Sequence, residues 1–352
     1  MTKAHEFMTR WDGYGFHGEV FSDRIREGLM GTARGTRAVP NFRPFDMIAE
    51  PNQSITMFVN EDQRIGVESV CGTQPNFYRF CDFDVVYFQF AGSTTLETEY
   101  GIYQTHPGDL LLLPGGTAHR STGSADSLRL FAHLHEPVAH MMGEDDYMSE
   151  VRFSVTRKGG PGWALPQGAG EPPKGRVVEK LITWRDTPDQ VTEIDRDYEA
   201  LVGVSSVSRD SRVSAVRKLR VFDVFKELTG ARGPGPKILD SKYFMVEAYN
   251  TRGPMRAFHR ALRSEEFGLQ FRGTASNFSE FGNTDLTPGD LYYVPLGIGH
   301  SVTCDDDFLR IVLYSTFPWD VVVDPAKHAF ESRFEVETEV IKAAKWWGVA
   351  AE

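Results

Sequence analysis

The sequence predicts an all-β protein made of two copies of one barrel, joined by a partly helical linker. Three observations lead there. Short apolar or alternating runs follow one another with turn residues between them: SITMFV, DVVYFQF, LETEYGIYQT, DLLLLP. Runs of that length and frequency are the pattern of a β-barrel or sandwich. A second set begins after residue 238, with YFMVEAY, GLQFRG, DLYYVP and DFLRIVLYST. The two sets also coincide at a constant offset of 181 positions, which carries Gly108, Pro114, Gly116 and His119 onto Gly289, Pro295, Gly297 and His300 without a gap. The same offset carries Phe77, Arg79, Gln89-Phe90 and Leu128-Arg129 onto Phe258, Arg260, Gln270-Phe271 and Leu309-Arg310. One register held over some fifty residues reads as a duplicated unit.

In chain order, residues 1–50 show no clear period and read as an arm packed on the first domain. Residues 51–140 form the first barrel, in which Leu110–Leu113 is expected to be buried on both faces. Residues 141–237 break the strand pattern and form a connecting segment. Its Gly- and Pro-rich stretch Gly159–Gly175 is a surface crossing. Within it, Val213, Val216, Leu219, Val221, Phe222, Phe225 and Leu228 fall near a helical period, so a helix is expected over Ser211–Leu228. Residues 238–320 form the second barrel, and 321–352 a tail helix packed on the body.

Composition narrows the class. Hydrophobic residues make up 41% of the chain and charged residues 25%, a globular balance. A formal net charge of −11 argues against nucleic acid or an anionic membrane surface as partner. No apolar run approaches the length of a bilayer span, and the first residues lack the apolar core of a secretory signal. Cys71, Cys81 and Cys304 show no C-x2-C spacing, which fits a reducing compartment, and a cytoplasmic location is expected. No Gly-x-Gly-x2-Gly fingerprint, P-loop or Gly-x-Ser-x-Gly elbow is present, so nucleotide binding and serine hydrolysis have no support.

The chemistry is expected in the second copy, at His259, Glu265 and His300. Two neutral imidazoles and one carboxylate are the facial triad, which suits Fe(II) and leaves coordination positions open. In a straight strand six residues would separate His259 from Glu265 by roughly 20 Å, so the chain must turn between them, across Ala261–Ser264. On residue type alone, His259 and Glu265 read equally well as structural residues. Glu266 is a competing carboxylate, expected to face solvent or stand behind the ligands. The first copy has Tyr78, Asp84 and His119 at the three places. A phenol must lose a proton with a pKa of about 10 before it ligates well, so the first barrel is expected to be metal-free and structural.

Two resemblances rest on these residues. The form Gly-x5-Pro-x-Gly-x2-His, running Gly289, Pro295, Gly297, His300, resembles the second signature of the cupins, and with its repeat implies a bicupin. The run His259-Arg260-x3-Ser264-Glu265-x3-Leu269, followed by Arg272-Gly273, resembles the iron-binding segment of homogentisate 1,2-dioxygenase. The large subunit of hydroquinone 1,2-dioxygenase has a similar His-x5-Glu spacing. The resemblance implies Fe(II) on His259, Glu265 and His300, and O2-dependent cleavage of the ring of a hydroquinone-type or substituted phenolic substrate. It covers about forty-five residues and has departures: Val294 stands where homogentisate enzymes carry a further histidine, and Ala261 where hydroquinone enzymes have asparagine.

Arg272, Tyr292 and Tyr293 are the candidates for substrate contact, with Arg272 favoured for a substrate anion because its offset partner is Ala91. Arg310 has a twin in Arg129, which favours a structural role. His133 and His135 share one strand face, but cupin His-x-His pairs precede the glycine signature, so these are expected on a surface or interface strand. The partners expected are a small aromatic substrate and O2, with a homo-oligomeric assembly or a second subunit. The alternatives are a cupin isomerase or a dioxygenase on a non-aromatic substrate, and a non-catalytic small-molecule-binding bicupin.

Overall fold

The computed structural model describes residues 5–9, 41–80, 82–98, 101–142, 175–183, 190–197, 217–221, 237–249, 257–261, 264–279, 282–296, 298–304, 308–323 and 329–330. Regular structure among them is almost wholly strand, with one short 3-10 turn at Pro44–Met47. Two compact units result. One comprises Ile48–Lys226 with Leu239–Lys242; the other comprises Met1–Met47, Glu227–Ile238 and Tyr243–Glu352.

In the first unit the barrel strands are β1 (Ser54–Val59), β2 (Gln63–Ser69), β3 (Phe77–Phe80), β4 (Asp84–Ala91), β5 (Thr94–Thr98), β6 (Gly101–Thr105), β7 (Asp109–Leu113), β8 (Ala118–Gly123) and β9 (Leu128–Leu134). They form two antiparallel sheets, in the orders β7-β4-β9-β2-β1 and β3-β8-β5-β6. β6 shows the period of two that a half-buried strand requires, with Gly101, Tyr103 and Thr105 buried and Ile102 and Gln104 exposed. β7 is buried throughout, as its run of leucines predicts. Val85, Tyr87, Leu96, Leu111 and Phe131 meet in the core between the sheets.

The segment expected to be a connection adds to this unit instead. β10 (Arg176–Thr183) pairs parallel with β3, β11 (Gln190–Asp197) pairs with β10, and β12 (Arg217–Arg220) pairs with β7. Of the helix expected over Ser211–Leu228, Arg217–Arg220 is strand and Val221 is helical, and the rest lies outside the described residues. Lys218 and Leu219 are both buried, Lys218 because Asp109 holds its ammonium at 2.9 Å. A buried ion pair on an added strand has no helical or alternating signature, so the apolar spacing around it misleads.

The second unit repeats the barrel as β13 (Phe244–Tyr249), β14 (Ala257–Ala261), β15 (Glu265–Arg272), β16 (Ala275–Ser279), β17 (Gly282–Leu286), β18 (Leu291–Val294), β19 (Gly299–Cys304) and β20 (Leu309–Ser315). Its sheets run β13-β20-β15-β18 and β14-β19-β16-β17. β4, β5, β6, β8 and β9 map end for end onto β15, β16, β17, β19 and β20 at the same offset of 181. The bulge recurs too: the β4–β9 register shifts between Leu128 and Arg129, and the β15–β20 register between Gln270 and Arg272. Gly108 (φ 89°) and Gly289 (φ 94°) take the same left-handed turn into β7 and β18, a conformation that favours glycine. The chain is an all-β bicupin.

Two corrections concern the ends. The N-terminal arm belongs with the second barrel: His5–Thr9 pairs parallel with β14, and Asn41–Phe42 pairs with β18. Of the expected tail helix over 321–352 only 321–323 and 329–330 are described; they are not helical, and Ala329–Phe330 is a strand paired with Asn41–Phe42, while 324–328 and 331–352 lie outside the described residues. No helix among the described residues is long and apolar enough to cross a membrane.

The first barrel carries a pH dependence. His133 stacks on Phe83 at 4.4 Å and packs against Phe131 at 4.8 Å and Phe80 at 5.3 Å, so it is half-buried with its ring among core aromatics, where a surface or interface strand was expected. Burial, reinforced by Arg64, His119 and His135, holds its pKa well below the usual 6.5. Burial likewise pushes His119 down to about 3, with Arg129 and Arg79 adding to it and the bond to Thr117 opposing it. Both rings stay neutral in the folded chain, while the unfolded chain protonates them near 6.5. Stability is therefore complete above that pH and is lost as pH falls from about 6.5 toward 3. The loss is about 1.4 kcal/mol per pH unit for each histidine. Urea unfolding between pH 7.5 and 5 should show this slope, and His133→Phe should reduce it. A flat profile would contradict the assignment.

Candidate metal centre

β14, β15 and β19 supply the site. Antiparallel pairing of β14 with β19 sets His259 opposite His300 in register. The side chain of His259 lies outside the described residues. β14 ends at Ala261 and β15 begins at Glu265, in a different sheet, and residues 262–263 of the expected turn lie outside the described residues.

His300 is fully buried. Its Nδ1 lies 3.2 Å from the carbonyl oxygen of Ile298. Both ring nitrogens face acceptors: with a cation at the site Nδ1 keeps the ring hydrogen and Nε2 presents its lone pair, and without one Nε2–H donates to Glu266. Nε2 lies 2.8 Å from Oε1 of Glu266, and Glu266 is itself 2% exposed. Two acceptors at this distance repel unless a proton or a cation lies between them.

The carboxylate at His300 is therefore Glu266 and not Glu265. Successive strand residues point to opposite faces, and the first residue of β15 is on the far one. There Glu265 Oε2 accepts the hydroxyl of Tyr293 at 2.6 Å and the backbone N–H of Trp319 at 2.8 Å. The first barrel repeats the device: Asp84 accepts the N–H of Val138 at 2.9 Å and of Gly115 at 2.7 Å. Val138 and Trp319 are again 181 positions apart. Asp84 and Glu265 are one structural clamp made twice, each pinning the chain that leaves its last barrel strand.

Around Glu266 lies a set of buried phenols. Tyr292 donates to Glu266 Oε1 at 3.3 Å. Gly268 makes room for it, since a Cβ there would sit 2.2 Å from Tyr292 Cε1. Tyr249 donates to Glu247 Oε2 at 2.5 Å and meets the hydroxyl of Tyr314 at 2.8 Å. Tyr314 stands opposite Glu266 in the β15–β20 register. Burial first, then the charge of Glu247, holds the Tyr249 phenol well above its usual range; burial does the same for Tyr292 and Tyr314. All three stay neutral donors at physiological pH.

Of the residues singled out in the sequence, the structure thus groups His300 and Tyr292, with His259 in register beside them. Tyr293 and Glu265 share the opposite face, and Arg272 is exposed at the end of β15. Sequence reasoning named Glu266 only as a competing carboxylate, facing solvent or behind the ligands, and missed Glu247, Tyr249 and Tyr314. The offset could have found them, because their counterparts are Val85, Gly66, Glu68 and His133, whereas Glu265 keeps an acid in Asp84.

Among the described residues no three His, Cys, Asp or Glu side chains converge. The donors present nevertheless fit a divalent cation: an imidazole nitrogen fixed by a backbone bond and an anionic oxygen, buried and in contact. A third donor would come from His259.

No family model and no curated protein matches the chain. Solved structures do match. One is a cupin 2 conserved barrel domain protein from Leptotrichia buccalis, 8% identical, with a TM-score of 0.48 over 80% of this chain and 97% of that one. Another is a salicylate 1,2-dioxygenase from Pseudaminobacter salicylatoxidans, 12% identical, with a TM-score of 0.46 over 82% and 89%. A third is a mutant of Bacillus subtilis oxalate decarboxylase, 14% identical, with a TM-score of 0.43 over 82% and 81%. These are likenesses of architecture; the bicupin fold of this chain rests on its own strand order and repeat.

Proposed function

We propose that the second barrel holds Fe(II) on His259, Glu266 and His300 and cleaves the ring of a hydroquinone-type or substituted phenol with O2. The observation that carries this reading is the 2.8 Å contact between His300 Nε2 and the Glu266 carboxylate, both buried. The resemblance of the segment from His259 to Gly273 to the homogentisate enzymes suggests the reaction, with the carboxylate one residue later than that resemblance implies, at Glu266 in place of Glu265. Bound Fe(II) would supply positive charge to hold a phenolate and open positions at which substrate oxygen and O2 can meet.

The protein's own groups manage the proton. A phenol must lose one to bind as phenolate. Tyr249 commits its single hydroxyl hydrogen to Glu247, so Tyr314 is the donor in the bond between the two tyrosines. The oxygen of Tyr314 keeps lone pairs to accept. A proton released beside it passes through Tyr314 and Tyr249 to Glu247 as each hydroxyl hands on its hydrogen, and Tyr314, where the relay starts, lies opposite Glu266 in register. Apolar walls from Ile298, Val302, Phe308 and Val312 keep bulk water from the barrel interior.

The test is anaerobic loading with Fe(II), followed by oxygen-electrode assays against homogentisate, gentisate, hydroquinone, salicylates and aminophenols. The expected result is O2 uptake with at least one ring compound, with one O2 consumed per ring opened. Flat traces with every compound would overturn the reading.

A further inference from the structure

Arg310 and its twin Arg129 sit at the same bulge of the same strand, yet their surroundings differ completely. Arg129 donates to Glu68 Oε1 at 2.6 Å and to Ser121 Oγ at 3.1 Å, with its guanidinium 3.8 Å over the Tyr87 ring. In the second barrel the three counterparts are Tyr249, Val302 and Gly268. The arginine is kept and every partner is exchanged. Arg310 is 3% exposed, and its Nε and Nη1 have no hydrogen-bond partner among the described residues. Among the described residues, ring faces stand beside it: Tyr292 at 4.8 Å, Phe308 at 5.5 Å and Tyr249 at 5.6 Å.

A guanidinium cannot shed its charge to escape burial. An uncompensated buried charge is among the costliest features a fold can carry, and ring faces offset only part of it. Its fork of N–H groups matches a carboxylate in two-point geometry. We infer that Arg310 reads an anionic group of the substrate, a carboxylate, inside the second barrel. This rests on the reading of that barrel as the reaction chamber. Tyr292 links the two ends: its ring lies against Arg310 and its hydroxyl reaches Glu266. The substrate is then a phenolic acid, with its hydroxyl toward Glu266 and its carboxylate toward Arg310. On this proposal the role expected for Arg272 falls to Arg310.

The test uses the full chain without metal. Calorimetric titration compares 4-hydroxyphenylacetate with 4-methylphenol, which lacks only the carboxylate, and with inorganic phosphate as a competing anion. The acid is expected to bind more tightly than the methylphenol. Arg310→Met should weaken acid binding by roughly 30-fold or more and leave the methylphenol unaffected. A wild-type chain that does not prefer the acid, a variant that binds it as well, or phosphate displacing it at equal concentration would each overturn the proposal. Thermal melting adds a readout that a structural role would reverse. Ligand-free Arg310→Met should melt no lower than wild type, whereas Arg129→Met, which breaks satisfied bonds, should melt lower. A clearly lower melting point for Arg310→Met overturns the proposal. If acid binding behaves as expected but Fe(II) is not retained, the metal reading fails and this one stands.

Discussion

Glu266→Gln is expected to weaken Fe(II) binding by more than about 100-fold, beyond what loss of a supporting hydrogen bond alone produces. The substitution keeps the shape of the side chain and removes its charge. It also places a neutral amide against the His300 lone pair, 2.8 Å away in the native chain, which an amide N–H can satisfy without a cation. The chain should therefore fold and melt much as wild type does. A competition titration with a chromophoric chelator under anaerobic conditions gives the affinity. Equal affinity in the variant would remove Glu266 from the ligand set.

The second large effect is on stability, at the carboxylate one residue earlier. Glu265→Ala leaves the N–H of Trp319 and the hydroxyl of Tyr293 buried without their acceptor. Each such loss costs about 1–3 kcal/mol, so a combined destabilisation of about 2–6 kcal/mol is expected. Asp84→Ala should cost a similar amount through the N–H groups of Gly115 and Val138. Denaturant unfolding measures both. If Glu265→Ala left stability unchanged, the clamp assignment would be wrong.

These two neighbours show where sequence reasoning held and where it ran out. The duplicated barrel was legible because an offset of 181 holds strand by strand, down to the glycine turns at Gly108 and Gly289 and the shared bulge. The break between β14 and β15 was legible from distance alone. Which of Glu265 and Glu266 faces His300 was not, because the phase of β15 is set after a turn, and a slip of one residue exchanges the faces. Spacing from His259 and the family resemblance both favoured Glu265. The twin argued otherwise, since an acid shared with a barrel expected to hold no metal is better explained by a shared structural task.

Other misses have a common origin. The pairing of His5–Thr9 with β14 joins residues about 250 positions apart, and no local periodicity records such a contact. β12 was read as helix because Leu219 and Val221 fit that spacing, while the buried Lys218–Asp109 pair that fixes it in the sheet is invisible in an apolar pattern. Arg310 was read as structural because it has a twin. The exchange of Glu68, Ser121 and Tyr87 for Tyr249, Val302 and Gly268 is what the proposal of a different task rests on.

The central claim is most directly tested by counting iron. Wild type, Glu265→Gln and Glu266→Gln would be dialysed in parallel against Fe(II) without oxygen and their bound metal measured per chain. The account predicts one equivalent in the first two and none in the third. Iron retained by Glu266→Gln and lost by Glu265→Gln would contradict it.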